Sequence, residues 1–289
     1  MITCLVLGSG GAVPTRARAP AAYWVTVDGR SALLDPGPGA LARLVASPRG
    51  PSSVDDLDTV LLSHLHLDHC ADLAPLLFAL HSPLPRRETP LVLAGPPGLA
   101  AYLQRLRDLY GDWLAPARRQ VIVHELPPGT LLAPGNPAEP AWRPARDAAR
   151  GPCLTAFAAN HGERRFSSVN LGFRFCDAAG GVFVYAGDGE DGPDLRQAAT
   201  GADLLVVECS TPDELATPGH MTPSAIATLC RAAGPRRVIL THLYPPADAL
   251  DLPALVARHG WTGAVAVAQD GAVYGVPSDR LEPGDGGGH

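Results

Sequence analysis

Short apolar runs rich in β-branched residues recur along the whole chain, and several of them end at a glycine, an aspartate or a histidine. Runs of this kind, roughly four to eight residues long and bounded by turn residues, predict buried β-strands. The first run covers Ile2 to Leu7 and enters a glycine loop. The other predicted strands cover residues 23–28, 31–34, 60–62, 91–94, 121–126, 154–158, 171–175, 182–186, 203–208, 238–241, 264–267 and 272–276.

Helical periodicity lies between these strands, at residues 40–46, 71–81, 97–110, 223–233 and 253–259. The strands fall into two groups with helices interspersed, and each group carries one set of polar residues at its strand ends. We therefore expect an α/β fold in which two sheets pack face to face, helices cover them outside, and a site lies at the strand ends.

A single domain is expected over residues 1–277, because strand patterns resume after the one long shift in composition. Between Pro127 and Pro152, proline, glycine, alanine and arginine dominate without sustained periodicity, which predicts an inserted loop over residues 127–152. Residues 278–289 are predicted to form a disordered tail. The first glycine loop does not indicate dinucleotide binding, because Pro14 and Pro20 follow it where a helix would have to begin.

Composition narrows the function classes. The 289 residues carry a formal net charge of −6, whereas nucleic-acid-binding domains are usually basic. Neither a signal peptide nor a membrane-length apolar stretch is present, so a cytoplasmic protein without a membrane partner is expected. The six cysteines are widely spaced and are interpreted as small core residues, although Cys70 and Cys209 flank candidate site positions.

The stretch from His64 to His69 places three imidazoles and one carboxylate within six positions, directly behind a buried strand. Zinc and similar ions take histidine nitrogen and aspartate oxygen as ligands. His64 and His66 lie on one side of an extended segment, and a following turn redirects Asp68 and His69 toward a second point. This arrangement suits two metal ions better than one; a polar loop that happens to be rich in histidine is the alternative.

Four more candidate residues stand at isolated positions, either after a predicted strand or just before a predicted helix. They are His161, Asp188, His220 and His242. Singly each has an ordinary explanation, because a strand-end histidine is more often hydrogen-bonded than metal-bound. Together with the first stretch they supply what a dinuclear site still needs, a bridging carboxylate and a closing histidine for each metal.

In this ordered set of residues the chain resembles the metallo-β-lactamase superfamily of binuclear hydrolases, and the resemblance covers nearly the whole chain. It implies an αββα four-layer sandwich of two mixed β-sheets flanked by helices. It implies two divalent metal ions, for which zinc is favoured by ligand type while manganese or iron would fit the same donors. One ion would be held by His64, His66 and His161, the other by Asp68, His69 and His242, and Asp188 would bridge them.

Within the superfamily, Leu7-Gly8-Ser9-Gly10, Glu208-Cys209-Ser210 and His220-Met221-Thr222 look most like the branch that contains ribonuclease Z, cyclic-nucleotide phosphodiesterases and alkylsulfatase-like enzymes. In that branch the histidine matching His220 is taken to assist at the scissile phosphate. Ribonuclease Z usually has a proline-lysine-glycine segment where this chain has residues 176–181. It also usually has a Ser-x-Arg-Tyr run where this chain has residues 243–246. Both departures weaken the tRNA-processing assignment and leave the metal chemistry unchanged.

These residues predict a metal-dependent hydrolase. Two metals about 3.5–4 Å apart can lower the pKa of a bridging water from about 15.7 toward about 7 and so provide hydroxide at neutral pH. Asp68 is expected to bind one metal and orient this nucleophile, and His220 to donate a hydrogen bond or a proton to the leaving group. Glu208 is expected to orient the His220 imidazole; a strand-end carboxylate facing solvent is the alternative.

The favoured substrate is a small or nucleotide-type phosphodiester. Alternatives are a carboxylic ester, lactone or thioester on the same scaffold, and tRNA 3′-end processing by a ribonuclease Z-like homodimer. For the latter, the inserted loop with Arg143, Arg146 and Arg150 is the arm that would grip RNA, so nucleic acid is open but not favoured. A non-enzymatic ligand carrier is disfavoured by the complete ligand set. Candidate contacts of an anionic substrate are Arg16, Arg18, Arg164, Arg165, Ser167 and Ser168, although exposed solvated arginines are more frequent.

Overall fold

The protein is described by a computed structural model that covers residues 1–84, 86–135, 141–147, 151–161 and 169–276. Its strands are β1 Ile2–Gly8, β2 Ala22–Val27, β3 Arg30–Leu34, β4 Thr59–Leu61, β5 Leu91–Gly95, β6 Val121–Glu125, β7 Leu131–Pro134, β8 Trp142–Pro144, β9 Cys153–Ala159, β10 Asn170–Cys176, β11 Val182–Tyr185, β12 Leu204–Glu208, β13 Arg237–Thr241, β14 Ala264–Val267 and β15 Val273–Val276. Its α-helices are α1 Ala40–Ala46, α2 Leu67–Cys70, α3 Leu73–His81, α4 Leu99–Tyr110, α5 Pro193–Ala199, α6 Pro223–Ala233, α7 Pro245–Asp248 and α8 Leu252–Arg258.

The strands form two mixed sheets. One has seven strands in the order β15-β1-β2-β3-β4-β5-β6, and the other has eight in the order β14-β13-β12-β11-β10-β9-β7-β8. In each sheet a parallel half, β3 to β6 or β11 to β14, adjoins an antiparallel half. The parallel strands of each half therefore end at the same edge of their sheet, and this edge carries the candidate site.

Successive side chains along a strand point to opposite faces of the sheet, and this alternation explains how the sheets and helices pack in layers. In β1, Cys4 and Val6 face the core between the two sheets, while Leu5 and Leu7 face a second core under α1, α3 and α4. In β12, Val206 faces the central core and the neighbouring residues face a third core under α5, α6 and α8. Both faces of these strands are buried, as the continuous apolar runs predicted. The prediction of two sheets packed face to face with helices outside is confirmed.

The second and third strands form a hairpin near the start of the chain. Strands β2 and β3 pair in antiparallel register, with Val27 opposite Arg30. Asp28 and Gly29 fill the turn with φ values of 47° and 79°, as a two-residue hairpin turn requires. The sequence Asp28-Gly29 is one that such turns favour.

The interpretation of residues 127–152 as a structureless loop is wrong for part of that segment. Strands β7 and β8 lie within it, and β7 also pairs with β9, so the segment extends the second sheet. Trp142 is fully buried in the central core, with its ring 6.0 Å from that of Phe175 in an edge-to-face contact. The two strands are too short and too rich in proline to give a periodic signal. Arg150, with Ala148 and Ala149, lies outside the described residues, as does the predicted tail.

Within the described residues, none of the helices has both the length and the apolar character needed to cross a membrane.

Candidate metal centre

The candidate site lies where the strands of both sheets end. The segment after β4 carries His64 and His66, and α2 begins directly after them, which turns Asp68 and His69 toward the same edge. In the second sheet, the candidate residues lie at the ends of four strands, three of which are neighbours. His161 follows β9, Asp188 follows β11, Glu208 ends β12 and His242 follows β13. The structure therefore brings together residues from positions 64 to 242.

Four overlapping groups of possible donor atoms lie close together among the described residues, and two of them match the two sets expected from the sequence. Within each group the donor atoms all lie within 4.8 Å of one another. In the first group, Nε2 of His161 is 3.4 Å from Nδ1 of His66, and His64 completes the set. In the second group, Nε2 of His242 is 3.2 Å from Nε2 of His69 and 3.3 Å from Oδ2 of Asp68.

The carboxylate of Asp188 lies between the two groups. Its Oδ2 atom is 3.2 Å from Nε2 of His69, 3.1 Å from Nε2 of His242 and 3.9 Å from Nε2 of His64. Asp188 is 3% exposed, so this negative charge is surrounded by imidazoles and not by water. A carboxylate in this position can serve both groups, as the predicted bridging role requires.

Hydrogen bonds on the far side of the rings orient four of the histidines. Nδ1 of His69 lies 2.9 Å from Asp35, and Nδ1 of His161 lies 2.8 Å from the carbonyl oxygen of Gly219. Because these partners can only accept, the Nδ1 proton is fixed and Nε2 presents its lone pair to the centre. The same holds for the other two, whose Nδ1 atoms contact serine hydroxyls, at 3.0 Å for His64 and Ser63 and at 2.9 Å for His242 and Ser210.

The serine hydroxyls are themselves committed as donors. Ser63 donates to Asp35 at 2.5 Å, and Ser210 donates to Glu208, so each serine oxygen can accept a hydrogen bond from the Nδ1–H of its histidine. Nε2 of His64 is buried and has no hydrogen-bond partner among the described residues. An unpartnered buried nitrogen is costly, and a metal ion at this position would satisfy it. The donor set therefore fits divalent metal ions.

The electrostatics at His64 and Asp188 favour the protonation states in which histidine and aspartate bind metal ions. Burial keeps the pKa of His64 well below its usual range, so the imidazole is neutral. Burial also opposes charge on Asp188, but the neighbouring His242 and His69 outweigh it and hold the pKa of Asp188 well below its usual range. Burial opposes charge on His69, but Asp188 and Asp35 outweigh it and raise its pKa, so a metal ion bound there would displace the proton from Nε2. The site thus presents an ionised carboxylate among imidazole nitrogens, which is the combination of donors that divalent ions bind.

Strained backbone occurs at this site. Asp35 and His242 have φ values of 47° and 55°, in the left-handed region that residues other than glycine rarely adopt. Such conformations cost on the order of 1–3 kcal/mol and persist where surrounding contacts impose them. Here Asp35 is held by Ser63, His69 and Tyr185, whose hydroxyl donates to the carboxylate at 2.6 Å.

His220 lies beside the centre and is held by Glu208. Nδ1 of His220 is 2.8 Å from Oε2 of Glu208, and its ring is stacked on that of His242 at 5.8 Å and lies 4.9 Å from that of His161. Burial opposes charge on His220, but the hydrogen bond and charge of Glu208 outweigh it and raise the pKa. Glu208 is 1% exposed, so the alternative of a solvent-facing carboxylate is wrong. His220 can also join Asp188 and His242 as a third possible metal-binding group.

Other candidates from the sequence lie elsewhere or are already paired. The guanidinium of Arg18 contacts Asp248 and Ser9 and is therefore not free for a substrate. Cys209 is fully buried in the core under α6, and the thiol of Cys70 donates to the hydroxyl of Tyr102. Four candidates lie outside the described residues, namely Arg164, Arg165, Ser167 and Ser168.

The sequence interpretation missed the residues that orient the ligands, chiefly Asp35, Ser63 and Ser210. A weak signal existed for each of them. Asp35 follows a predicted strand just as the ligands do, and the two serines stand next to or near residues that were singled out. Several of their contacts join residues 28 to 150 positions apart in the chain, so these contacts could be seen only in the folded structure.

Comparisons with known proteins agree with this geometry. A family model described as the beta-lactamase superfamily domain matches residues 30–243. A relative named ribonuclease Z from Haloferax volcanii is 29% identical over 320 aligned positions, which cover 98% of this chain and 96% of the relative.

Solved structures show the same fold. The metallo-beta-lactamase fold protein YhfI from Bacillus subtilis superposes with a TM-score of 0.71 at 23% identity, covering 94% of this chain and 98% of that one. The short form of human tRNase Z superposes with a TM-score of 0.70 at 23% identity, covering 95% and 98%. The chain belongs to the beta-lactamase superfamily domain family, and it is a metal-dependent hydrolase with the metallo-β-lactamase fold.

Proposed function

We propose that the protein hydrolyses phosphodiesters and that its substrate is a small or nucleotide-type diester. The observation that carries this proposal is the buried Glu208 that holds His220 beside the two groups of metal-binding residues. Expulsion of a basic alkoxide or phenolate is the difficult part of diester cleavage. An imidazole with a raised pKa next to a metal centre is suited to protonate such a leaving group.

Seven residues would hold two divalent ions, and zinc is favoured by the mixture of histidine and aspartate while manganese or iron would also fit. The seven proposed ligands are His64, His66, Asp68, His69, His161, Asp188 and His242. When bound, the ions would supply an activated water and neutralise charge on the phosphate oxygens.

The protein groups have separate roles in this proposal. Asp68 is half-buried, and burial opposes its charge, but His242 and His69 outweigh this and lower its pKa. It stays ionised at neutral pH and can accept a hydrogen bond from the attacking water. His220 faces the same centre and would give its Nε2 proton to the leaving oxygen, while Glu208 stabilises the charged imidazole before that transfer.

Substrate choice depends on the side chains that line the site next to His220. The ring of Tyr244 lies 5.7 Å from that of His242 and 6.4 Å from that of His220. Tyr244 belongs to residues 243–246, where ribonuclease Z usually has a Ser-x-Arg-Tyr run. This difference from ribonuclease Z therefore lies at the site itself. The other departure, residues 176–181, covers the end of β10 and the connection to β11, at the end of the hairpin away from His161. An aromatic wall supports a substrate with a base or an aryl group.

A ribonuclease Z-like tRNA 3′-end endonuclease is the second candidate. It is supported by relatives of that name that align over nearly the whole chain. The segment expected to act as an RNA-gripping arm instead contributes β7 and β8 to the second sheet. This placement favours the small diester. Homodimerisation and a cytoplasmic location remain predictions.

The test is a substrate panel on protein reconstituted with zinc or manganese. We expect turnover of bis(p-nitrophenyl) phosphate and no comparable turnover of p-nitrophenyl butyrate. Asp188→Ala should abolish the activity, and Asp194→Ala, an exposed aspartate on α5, serves as the matched control. Faster turnover of the butyrate would overturn the phosphodiesterase proposal. Salt-sensitive cleavage of a tRNA precursor at its 3′ end would establish the second candidate instead.

A further inference from the structure

Both backbone polar groups of Gly219, the residue directly before His220, are hydrogen-bonded. Its N–H donates to Oε1 of Glu190 at 2.7 Å, and its carbonyl oxygen accepts from Nδ1 of His161 at 2.8 Å. Gly219 has a φ of 87°, a conformation that suits glycine. One backbone unit thus connects the proposed proton donor to a proposed metal ligand, and Glu190 is its second support.

Glu190 is in turn tied to the strand end that carries His161. Its backbone N–H donates to the carbonyl oxygen of Asn160 at 2.9 Å, and the two residues form an antiparallel bridge. A longer contact of 3.5 Å joins the Asn160 amide to Oε2 of Glu190. Glu190 therefore links three loops, which carry His161, Asp188 and His220.

The neighbouring Gly189 adds a second connection to the same histidine. Its N–H donates to Oε1 of Glu208 at 2.6 Å, and the other oxygen of Glu208 contacts His220. A side chain on Gly189 would approach the backbone nitrogen of Asn160 to 2.9 Å, so this close approach requires glycine. The segment after Asp188 thus supports both the side chain and the backbone of His220.

The loop before His220 offers little else to fix it. Residues 214–218 are exposed, and the backbone N–H of His220 bonds only within the same loop, to Thr217 at 3.1 Å. Its hydrogen bonds to other described loops come through Glu208 and through the Gly219 backbone, and the His220 ring also packs on His161 and His242.

We propose that Glu190 is a positioning residue that fixes His220 against the metal centre through the Gly219 peptide. The inference rests on the proposed function, because it assigns His220 the role of proton donor. Loss of the Glu190 carboxylate frees the Gly219 N–H and lets the loop move, so the imidazole no longer reaches the leaving oxygen in a fixed geometry. Misplacement by about 1 Å can cost about 100-fold in rate.

Two substrates separate this role from a purely structural one. Methyl p-nitrophenyl phosphate and methyl phenyl phosphate have the same charge and nearly the same shape, but the phenolate of the second is more basic and needs protonation more. Glu190→Ala should lower kcat for the phenyl ester about 10- to 100-fold and for the nitrophenyl ester about threefold or less. Bound metal per chain, measured by elemental analysis, should stay at the wild-type level.

Two further variants complete the experiment. Glu190→Gln keeps an oxygen that can accept from Gly219, so it should restore most of the phenyl ester rate. Glu88→Ala removes an exposed glutamate from the segment between α3 and β5 and is the matched control. Equal loss on both esters, loss of metal, or no rescue by Glu190→Gln would overturn the positioning role. Wild-type enzyme that cleaves neither ester would instead refute the proposed function.

Discussion

The carboxylate of Asp35 lies 2.9 Å from Nδ1 of His69, although 34 positions separate them in the chain. The same carboxylate accepts from the backbone and hydroxyl of Ser63 and from the hydroxyl of Tyr185. It is fully buried between strand ends of both sheets. Asp35 thus fixes the tautomer and the direction of one proposed ligand, and through Ser63 it also fixes His64.

Replacing Asp35 by Asn should weaken metal binding. Every hydrogen-bonding neighbour of the Asp35 carboxylate donates to it. The amide nitrogen of the new side chain would therefore face a donor, and His69 or Ser63 would lose the hydrogen bond that orients it. Loss of such a supporting carboxylate typically costs about 10- to 100-fold in metal affinity. Zinc affinity measured by chelator competition tests this expectation, and Asp112→Asn on the exposed surface is the control. Unchanged affinity would show that Asp35 serves the fold and not the metal centre.

Replacing Asp188 by Ala should remove the metal together with the activity. The variant leaves three imidazoles without the carboxylate that lies among them, at 3.1 to 3.9 Å. Elemental analysis after dialysis should find clearly less zinc than in wild type. Zinc content equal to that of Asp194→Ala would contradict the bridging role of Asp188.

The candidate ligand set could be predicted from the sequence because its members follow apolar runs and carry metal-binding atoms. His64 to His69 lie together in the chain, and strand ends in parallel sheets must meet at one edge. Asp35, Glu190 and the serines could not be predicted in this way, since their roles depend on which loops meet in space. The strands β7 and β8 were missed because three or four residues with prolines show no period, while tertiary pairing still forms them.

A pH-dependent contribution to stability is expected from Asp213. Partial burial opposes its charge, but hydrogen bonds from Ser224 and Thr222 outweigh this and lower the pKa below the ordinary value of 3.8. A lowered pKa in the folded state means that the contribution is fully present well above 3.8. It is lost as the pH falls from there through the folded-state value.

Asp213→Asn should therefore be less stable than wild type at pH 7, by roughly 1 kcal/mol from weakened hydrogen bonds to Ser224. The difference in the free energy of unfolding should shrink as the pH falls below 3.8. Urea denaturation at a series of pH values measures it. A difference that is equally large at pH 3 and at pH 7 would show that the charge of Asp213 contributes nothing.

Replacing His220 by Ala should preserve the metal and slow the reaction. His220 contacts the centre through ring packing on His161 and His242, and its Nδ1 is already engaged by Glu208. Loss of an acid catalyst costs about 100- to 10,000-fold, and the loss should be greater for methyl phenyl phosphate than for methyl p-nitrophenyl phosphate. His81→Ala, at the end of α3, is the matched control. If the variant loses zinc, His220 is a ligand beside Asp188, and the leaving group must take its proton from another source.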